Sequence, residues 1–293
     1  MKIVKYILNT ILSFFIIFVV FLLIGINILD NKLLNKNYVL SKMEEIKFYE
    51  QISREVESGF ENYIYQSGLP EETIKDLFTE EMIRNDVNTL INCVYEGTEI
   101  TLSTETLKNT LDDRIQEYLN SQNKKLTDDV KNNITKFEDL IINEYKENVN
   151  VSTTLYTKGH VIFEKVVEIR EKIGKLPIVM LVVLIVLLVI INIKDLLSVL
   201  NFLAIAALSI GMLLKIGVGV LFRNIDFDNL LILAQSLSNL IINIVKENLY
   251  KLSEYGNIFI VCGITGILVS IILKNFGKSE KPKRRFKKNK IEE

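Results

Sequence analysis

Four long apolar segments constrain this 293-residue chain more than any other feature of its sequence. Charged residues are absent from 7–28, 176–193 and 258–273, and a further run, 196–222, is interrupted only by Lys215. At about 1.5 Å of rise per residue, helices of this length cross a hydrocarbon layer about 30 Å thick. The sequence therefore predicts a multi-pass membrane protein with four transmembrane helices, of the all-α class.

The polar stretch between the first two spans predicts a single extracytoplasmic domain, an antiparallel helical bundle. We interpret the first span as a retained signal anchor, because its apolar run exceeds the roughly 7–15 residues of a signal-peptide core and no A-x-A-like cleavage site follows. In chain order, the predicted parts are the N-terminus and first span at 1–28, the bundle at 29–175, a hairpin of the second and third spans at 176–222, an extracytoplasmic amphipathic or re-entrant helix at 223–256, the fourth span at 257–275 and a basic cytoplasmic tail at 276–293.

Charge asymmetry predicts the orientation of these spans. The segment 278–293 holds eight basic residues against three acidic ones, whereas 29–175 holds 28 acidic against 19 basic residues, a net charge of −9. Since short cytoplasmic segments are enriched in Lys and Arg, both termini and the turn at Lys194 are expected in the cytosol. Abundant Ile, Asn and Lys with no Trp favour a bacterial plasma membrane as the location.

The basic tail carries a predicted contact with anionic lipid headgroups. Each basic residue near such a surface contributes about 1 kcal/mol. Nucleic acid is not an expected partner, because no aromatic platform for base stacking accompanies the charge. The same cluster is also explained if it serves only to orient the spans in the membrane. Its members are Lys283, Arg284, Arg285, Lys287 and Lys288.

Three regular helix starts support the helical bundle. Thr79, Ser103 and Thr127 each follow an apolar residue and precede acidic residues, the pattern of an N-cap with carboxylates at the positive end of the helix dipole. Their spacing of 24 residues suggests either a repeat array or, as we favour, helices of similar length. A bundle tied to the membrane at both ends resembles bacterial extracytoplasmic sensor domains in outline.

Catalytic chemistry is not indicated by any motif. His160 is the only histidine, so a site built on several histidines is excluded. Acidic pairs such as Glu80 with Glu81 and Asp128 with Asp129 are explained by capping, and adjacent helix residues do not face each other. Cys93 and Cys262 fall in a polar and an apolar segment, so no disulfide is expected. We expect neither an enzyme nor a cofactor or metal.

One apolar stretch and the loop after it suggest a possible polar path in the membrane. Lys215 either marks the outer interface of the third span or pairs with a carboxylate such as Asp226 or Asp228. The following segment places Gln235, Asn239 and Asn243 on one helix face. Such a stripe lines a solute path, or else it faces water or a neighbouring helix.

These features lead to two functional hypotheses. The first is an interaction or sensing and assembly component, in which the helical outer domain binds a protein partner or a second copy of the chain while the spans anchor it in the lipid bilayer. The alternative is a small channel or transporter that uses the region of Lys215 and the 229–246 helix.

Overall fold

A computed structural model describes residues 2–67, 69–75, 77–98, 104–123, 127–149, 153–227 and 235–279. This part of the chain is helical, without strands, and four of its helices are long and apolar enough to cross a membrane. The helices are α1 (Lys2–Ile28), α2 (Lys36–Glu45), α3 (Phe48–Ser67), α4 (Glu80–Glu96), α5 (Glu105–Ser121), α6 (Asp128–Val149), α7 (Thr153–Ile173), α8 (Leu176–Ile191), α9 (Leu196–Asn224) and α10 (Gln235–Ser279). A π-helical turn, Leu29–Leu33, and a 3-10 turn, Glu71–Thr73, complete the elements.

The chain divides into two compact units. We call the first the apolar unit; it comprises Met1–Ile26, Ile173–Asp226 and Glu247–Glu293. The second, the core unit, comprises Asn27–Lys172 and Phe227–Lys246. The division places nearly all of the four long apolar segments in one unit and the amphipathic helices in the other, as expected when one set of helices is solvated by lipid and the other by water.

The apolar unit buries little of its own apolar surface. Only 11–28% of the most apolar window of each candidate span is buried inside the chain. Contiguous exposed apolar surface of this extent is unfavourable in water and is stable in hydrocarbon. The small core of this unit, where α1, α8 and α9 meet, consists of Leu12, Ile16, Leu188, Val199 and Ala206.

A reciprocal amide pair joins α1 to α8. Asn9 donates to the side-chain oxygen of Asn192 at 3.1 Å, and Asn192 donates back to Asn9 at 2.9 Å. Both side chains are buried. Because an unpaired amide is costly in an apolar environment, this pair favours one rotational register of the two helices over others.

Small residues bring α9 and α10 into close contact. A Cβ atom added to Gly263 would lie 2.6 Å from the Leu208 backbone nitrogen, and one added to Gly211 would lie 2.7 Å from the Gly256 carbonyl oxygen. These distances are shorter than van der Waals contact and involve backbone atoms that cannot rotate away. Glycine is therefore required where the two helices cross.

Three segments that were predicted to be cytoplasmic meet at one end of the apolar unit. Asp195 caps α9 by accepting hydrogen bonds from the amide and hydroxyl of Ser198. The Ser198 hydroxyl, assisted by the nearby ammonium groups of Lys5 on α1 and Lys274 on α10, holds the pKa of Asp195 below its usual range. An even number of crossings would give this arrangement, with the start of α1, the α8–α9 turn and the end of α10 on the same side.

The core unit has a continuous hydrophobic core of its own. Two stacked ring pairs lie at its centre, Phe60 with Phe78 at 4.7 Å and Phe78 with Tyr145 at 5.3 Å between centroids. Helices α3, α4, α5 and α6 contribute fully buried side chains to it, namely Ile52, Val56, Ile83, Leu111, Ile115 and Ile141. These are positions at which the amphipathic pattern predicts buried apolar residues.

Local capping signals explain where the helices of this unit begin and end. Thr79 caps α4 by accepting from the Met82 amide, and Thr127 accepts from the Val130 amide at the start of α6. Helix α5 begins after Thr104, whose side chain makes no capping bond, and Ser103 lies outside the described residues. Gly97 ends α4 with a φ of 69°, which a residue with a side chain rarely adopts.

The last helix differs from the predicted division into an outer helix at 223–256 and a fourth span at 257–275. From Gln235 to Ser279, α10 is unbroken, because this stretch contains no proline and its glycines do not interrupt the helical hydrogen bonds. Its first twelve residues belong to the core unit, to whose hydrophobic core Leu237, Leu240 and Ile244 contribute. The predicted amphipathic face is thus buried against helices.

Candidate functional site

The four residues of the predicted polar path lie in two different units. In the apolar unit, Lys215 on α9 donates from Nζ to the Ser253 hydroxyl on α10 at 2.9 Å. Within the core unit, Gln235 donates to Asn239 at 3.1 Å, and Asn243 donates to the Asn239 carbonyl oxygen at 2.8 Å. The structure therefore brings the three amide side chains together on α10 and assigns Lys215 to the other unit.

The amide stripe connects α10 to α3. Asn239 donates to Oε1 of Gln51 at 2.8 Å, and Gln51 in turn donates to the Ile46 carbonyl oxygen at 2.6 Å. In this arrangement the polar face of the helix contacts a neighbouring helix, one of the two alternatives that the sequence left open.

A carboxylate on α3 secures the first turn of α10. Glu55 accepts from the Ser236 amide at 2.7 Å and from the Ser236 hydroxyl at 2.8 Å. Ser236 is fully buried. The negative charge thus lies at the positive end of the α10 dipole and satisfies an amide that the helix itself leaves unpaired. Sequence reasoning missed this contact, which joins residues 181 positions apart and has no local signal.

A buried polar contact joins α4 to α6. Tyr145, fully buried, donates to Oδ2 of Asp86 at 2.6 Å. Burial raises the pKa of Asp86, while the bond from Tyr145 opposes that rise. Burial and the adjacent carboxylate raise the pKa of Tyr145 as well, so the phenol remains a donor at physiological pH.

A second polar cluster lies where α2, α3 and α4 meet. Tyr49 is buried, donates to Oδ1 of Asn88 at 2.6 Å and has its ring beneath the Arg84 guanidinium, 4.4 Å from the centroid. Arg84 also pairs with Glu44 and with Glu80. This cluster joins three helices through one tyrosine and one arginine, so we interpret it as structural.

An open groove between α4 and α7 is lined by both aromatic and acidic side chains. It encloses about 370 Å³, and its aromatic wall is formed by Tyr95 and Phe163, in edge contact at 4.7 Å. Burial raises the pKa of Tyr95 to about 12, and its hydroxyl donates to the Leu33 carbonyl oxygen at 2.7 Å. Four acidic residues line the groove, namely Glu96, Glu164, Glu168 and Glu171.

Two of the carboxylates that line the groove pair with lysines. Lys36 lies 3.6 Å from Glu96, and Lys172 lies 2.6 Å from Glu168. Both pairs are largely solvent-exposed, so they contribute little to stability. The lining thus combines two aromatic rings with four carboxylates.

The described part of the chain offers no cluster of metal-ligating side chains. No three His, Cys, Asp or Glu side chains there are grouped so that they hold a metal ion. The predicted lipid contacts at 283–288 and the carboxylate of Asp228 lie outside the described residues, as does the side chain of His160.

The fold and these contacts define a class, a helical protein with four candidate membrane spans and a separately packed amphipathic unit. No protein-family model, curated protein or solved structure matches this chain.

Proposed function

We propose that this chain is a bacterial plasma-membrane protein that binds a protein partner through its core unit, exposed on the outer side, with its apolar unit as anchor and assembly surface. The observation that carries the proposal is the division into two units. Four helices expose apolar surface that is stable only against lipid or another protein, and the remaining helices form a separate hydrophobic core.

The charge distribution supports the orientation. Lys5 and Lys274 lie near Asp195 at one end of the apolar unit, where the α8–α9 turn also lies. Positive charge in short segments marks the cytoplasmic side, whereas the long segment 29–175 carries a net charge of −9. Both termini are cytoplasmic in this proposal, and the core unit is extracytoplasmic.

The groove between α4 and α7 is the surface that we assign to the partner. Aromatic side chains in a concave surface provide the buried anchors typical of protein interfaces. The acidic residues that line the groove match a partner segment that bears Lys or Arg. Its chemistry favours a basic segment of another extracytoplasmic protein over a second copy of the acidic core unit.

Site-specific photo-crosslinking in intact cells tests this assignment. A photoreactive residue at Glu168 is expected to form a discrete adduct whose crosslinked peptide is basic, and Glu164→Lys with Glu171→Lys is expected to reduce its yield about tenfold, since like charges then face each other. The matched control is Asp113→Lys, a charge reversal at an exposed position of α5, which should leave the adduct yield unchanged. An equal loss of adduct with both variants, or an equal yield of adduct from a photoreactive residue at position 113, would contradict the assignment of the partner to the groove.

A further inference from the structure

Glu138 is buried in the seam between α5 and α6. Among the described residues it is the only charged side chain that is buried, with 4% of its surface exposed. Its Oε1 atom has no hydrogen-bond partner within the described structure. Apolar side chains of both helices form the seam, including Leu111 and Ile115 from α5 and Ile141 and Ile142 from α6. A carboxyl group in this position needs a specific physical explanation, because burial of an unpaired charge is strongly unfavourable.

The groups that face Glu138 are mainly acidic. From α5, Asp112 lies close enough for a hydrogen bond between the two carboxyl groups, and Lys108 contributes a weaker opposing charge. On α6 itself, Asp139 adds a further negative charge. Asp112 is held in place by Gln116, which donates to both of its oxygens at 3.2 Å.

The other helices against α6 supply groups farther along it. Tyr63 of α3 bonds to Glu144, and Asp86 of α4 accepts from Tyr145. These contacts lie six and seven positions beyond Glu138, about two turns away. The electrostatic environment of Glu138 is therefore set by α5 and by its own helix.

Burial, together with the neighbouring Asp112 charge, raises the pKa of Glu138 to about 7. When protonated, Glu138 is neutral and its hydroxyl donates to the Asp112 carboxylate. When ionised, two negative charges face each other across an apolar seam, which is unfavourable. Because the folded-state pKa is raised, this contribution to stability is complete below the ordinary pKa of a glutamate and is lost as pH rises through about 7.

We propose that Glu138 and Asp112 form a proton-operated latch between α5 and α6, closed when the two carboxyl groups share a proton and loosened when both are ionised. Its use as a sensory input rests on the proposed extracytoplasmic function. Acidification outside the cell would tighten the core unit, and alkaline conditions would release α5.

Hydrogen exchange of the full-length protein in lipid nanodiscs tests the latch. Protection factors, corrected for the intrinsic pH dependence of exchange, are measured for α5 at about pH 5.5 and about pH 8.5, with α9 as the internal reference. Protection of wild-type α5 is expected to be about tenfold higher at the lower pH. Glu138→Gln, which is permanently neutral, should show no such change, whereas Glu147→Gln, the same substitution at an exposed position of α6, should behave like wild type.

Two results would overturn the latch: wild-type protection that does not change with pH, or a full pH dependence that persists in Glu138→Gln. If that variant does not fold, Asp112→Asn provides the second test. Removing the neighbouring charge should move the midpoint of the exchange profile to lower pH, and an unchanged midpoint would contradict the proposal. Crosslinking at position 168 tests the partner site independently of the latch. If no adduct forms at position 168 while α5 still shows the expected pH-dependent protection, the proposed function is wrong and the latch stands.

Discussion

Asp86 illustrates how a single buried contact makes the stability of the core unit depend on pH. Its carboxylate accepts one bond from Tyr145, and burial still raises its pKa above the usual value. The folded state consequently binds a proton more tightly than the unfolded chain does. The contribution of Asp86 to stability is greatest in acid and declines as pH rises through its folded pKa.

Replacing the donor changes this dependence in a defined direction. Tyr145→Phe removes the hydrogen bond that lowers the pKa of Asp86, so that pKa increases further. The free energy of unfolding is expected to fall by about 1–3 kcal/mol at neutral pH. At about pH 4 the carboxyl is protonated to a greater extent in both proteins, and the difference between them should shrink. Chemical unfolding in detergent at the two pH values measures the effect.

Tyr118→Phe is the matched control for this change. The Tyr118 side chain lies on α5, is partly exposed and is not part of the Asp86 contact. It should alter the free energy of unfolding by less than about 0.5 kcal/mol at either pH. A destabilisation by Tyr145→Phe that is equal at both pH values would show that the phenol acts through packing alone.

At the scale of elements, the contact between α9 and α10 depends on glycine at particular positions. Gly263 and Gly217 both lie within helices, but a Cβ at Gly263 would meet the Leu208 backbone at 2.6 Å, whereas a Cβ at Gly217 would meet nothing within 4 Å. Comparing the same substitution at the two positions therefore distinguishes the effect of close packing from the effect of helix propensity.

Alanine substitution at these two positions should have opposite effects. Gly263→Ala forces the helices apart and is expected to lower stability by about 1–3 kcal/mol, as overpacking does elsewhere. Gly217→Ala is expected to be neutral, or to stabilise by up to about 1 kcal/mol, because alanine favours the helix. Thermal unfolding in detergent measures both, and equal destabilisation would argue against close packing at Gly263.

Structural features that depend only on residues close together in the sequence were predictable. Thr79 and Thr127 cap helices as predicted, and the apolar positions of α3 to α6 face a common core. The start of α5 differs by one residue, because Thr104 occupies the position before the helix. Caps and periodicity act over one or two turns, so a pattern search detects them.

Contacts between distant segments were not predictable. The first turn of α10 is held by the Glu55 carboxylate of α3, which is distant in the sequence. Glu138 lies beside Asp112 because α5 packs against α6. Residues 235–246 read as amphipathic in isolation, and amphipathicity does not distinguish a helix at a lipid surface from one against a protein core. Only the packed structure specifies the surface that covers this face.

At the scale of the whole molecule, the proposed function depends on the path of the chain through lipid. Four helices are long and apolar enough to span, and Lys5 and Lys274 lie at the same end of the apolar unit as Asp195. Four crossings would put both termini on the same side of the membrane, which in our proposal is the cytosol, with the core unit outside. The proposed partner site and the proposed extracellular proton signal both require this orientation.

Cysteine accessibility in intact cells tests this claim most directly. In a background with Cys93→Ser and Cys262→Ser, single cysteines are placed by Asn109→Cys on exposed α5, Lys194→Cys in the α8–α9 turn and Asn289→Cys in the tail. A membrane-impermeant maleimide is expected to label position 109 in intact cells and positions 194 and 289 only after permeabilisation. Labelling of 194 and 289 in intact cells, with 109 protected, would contradict the account.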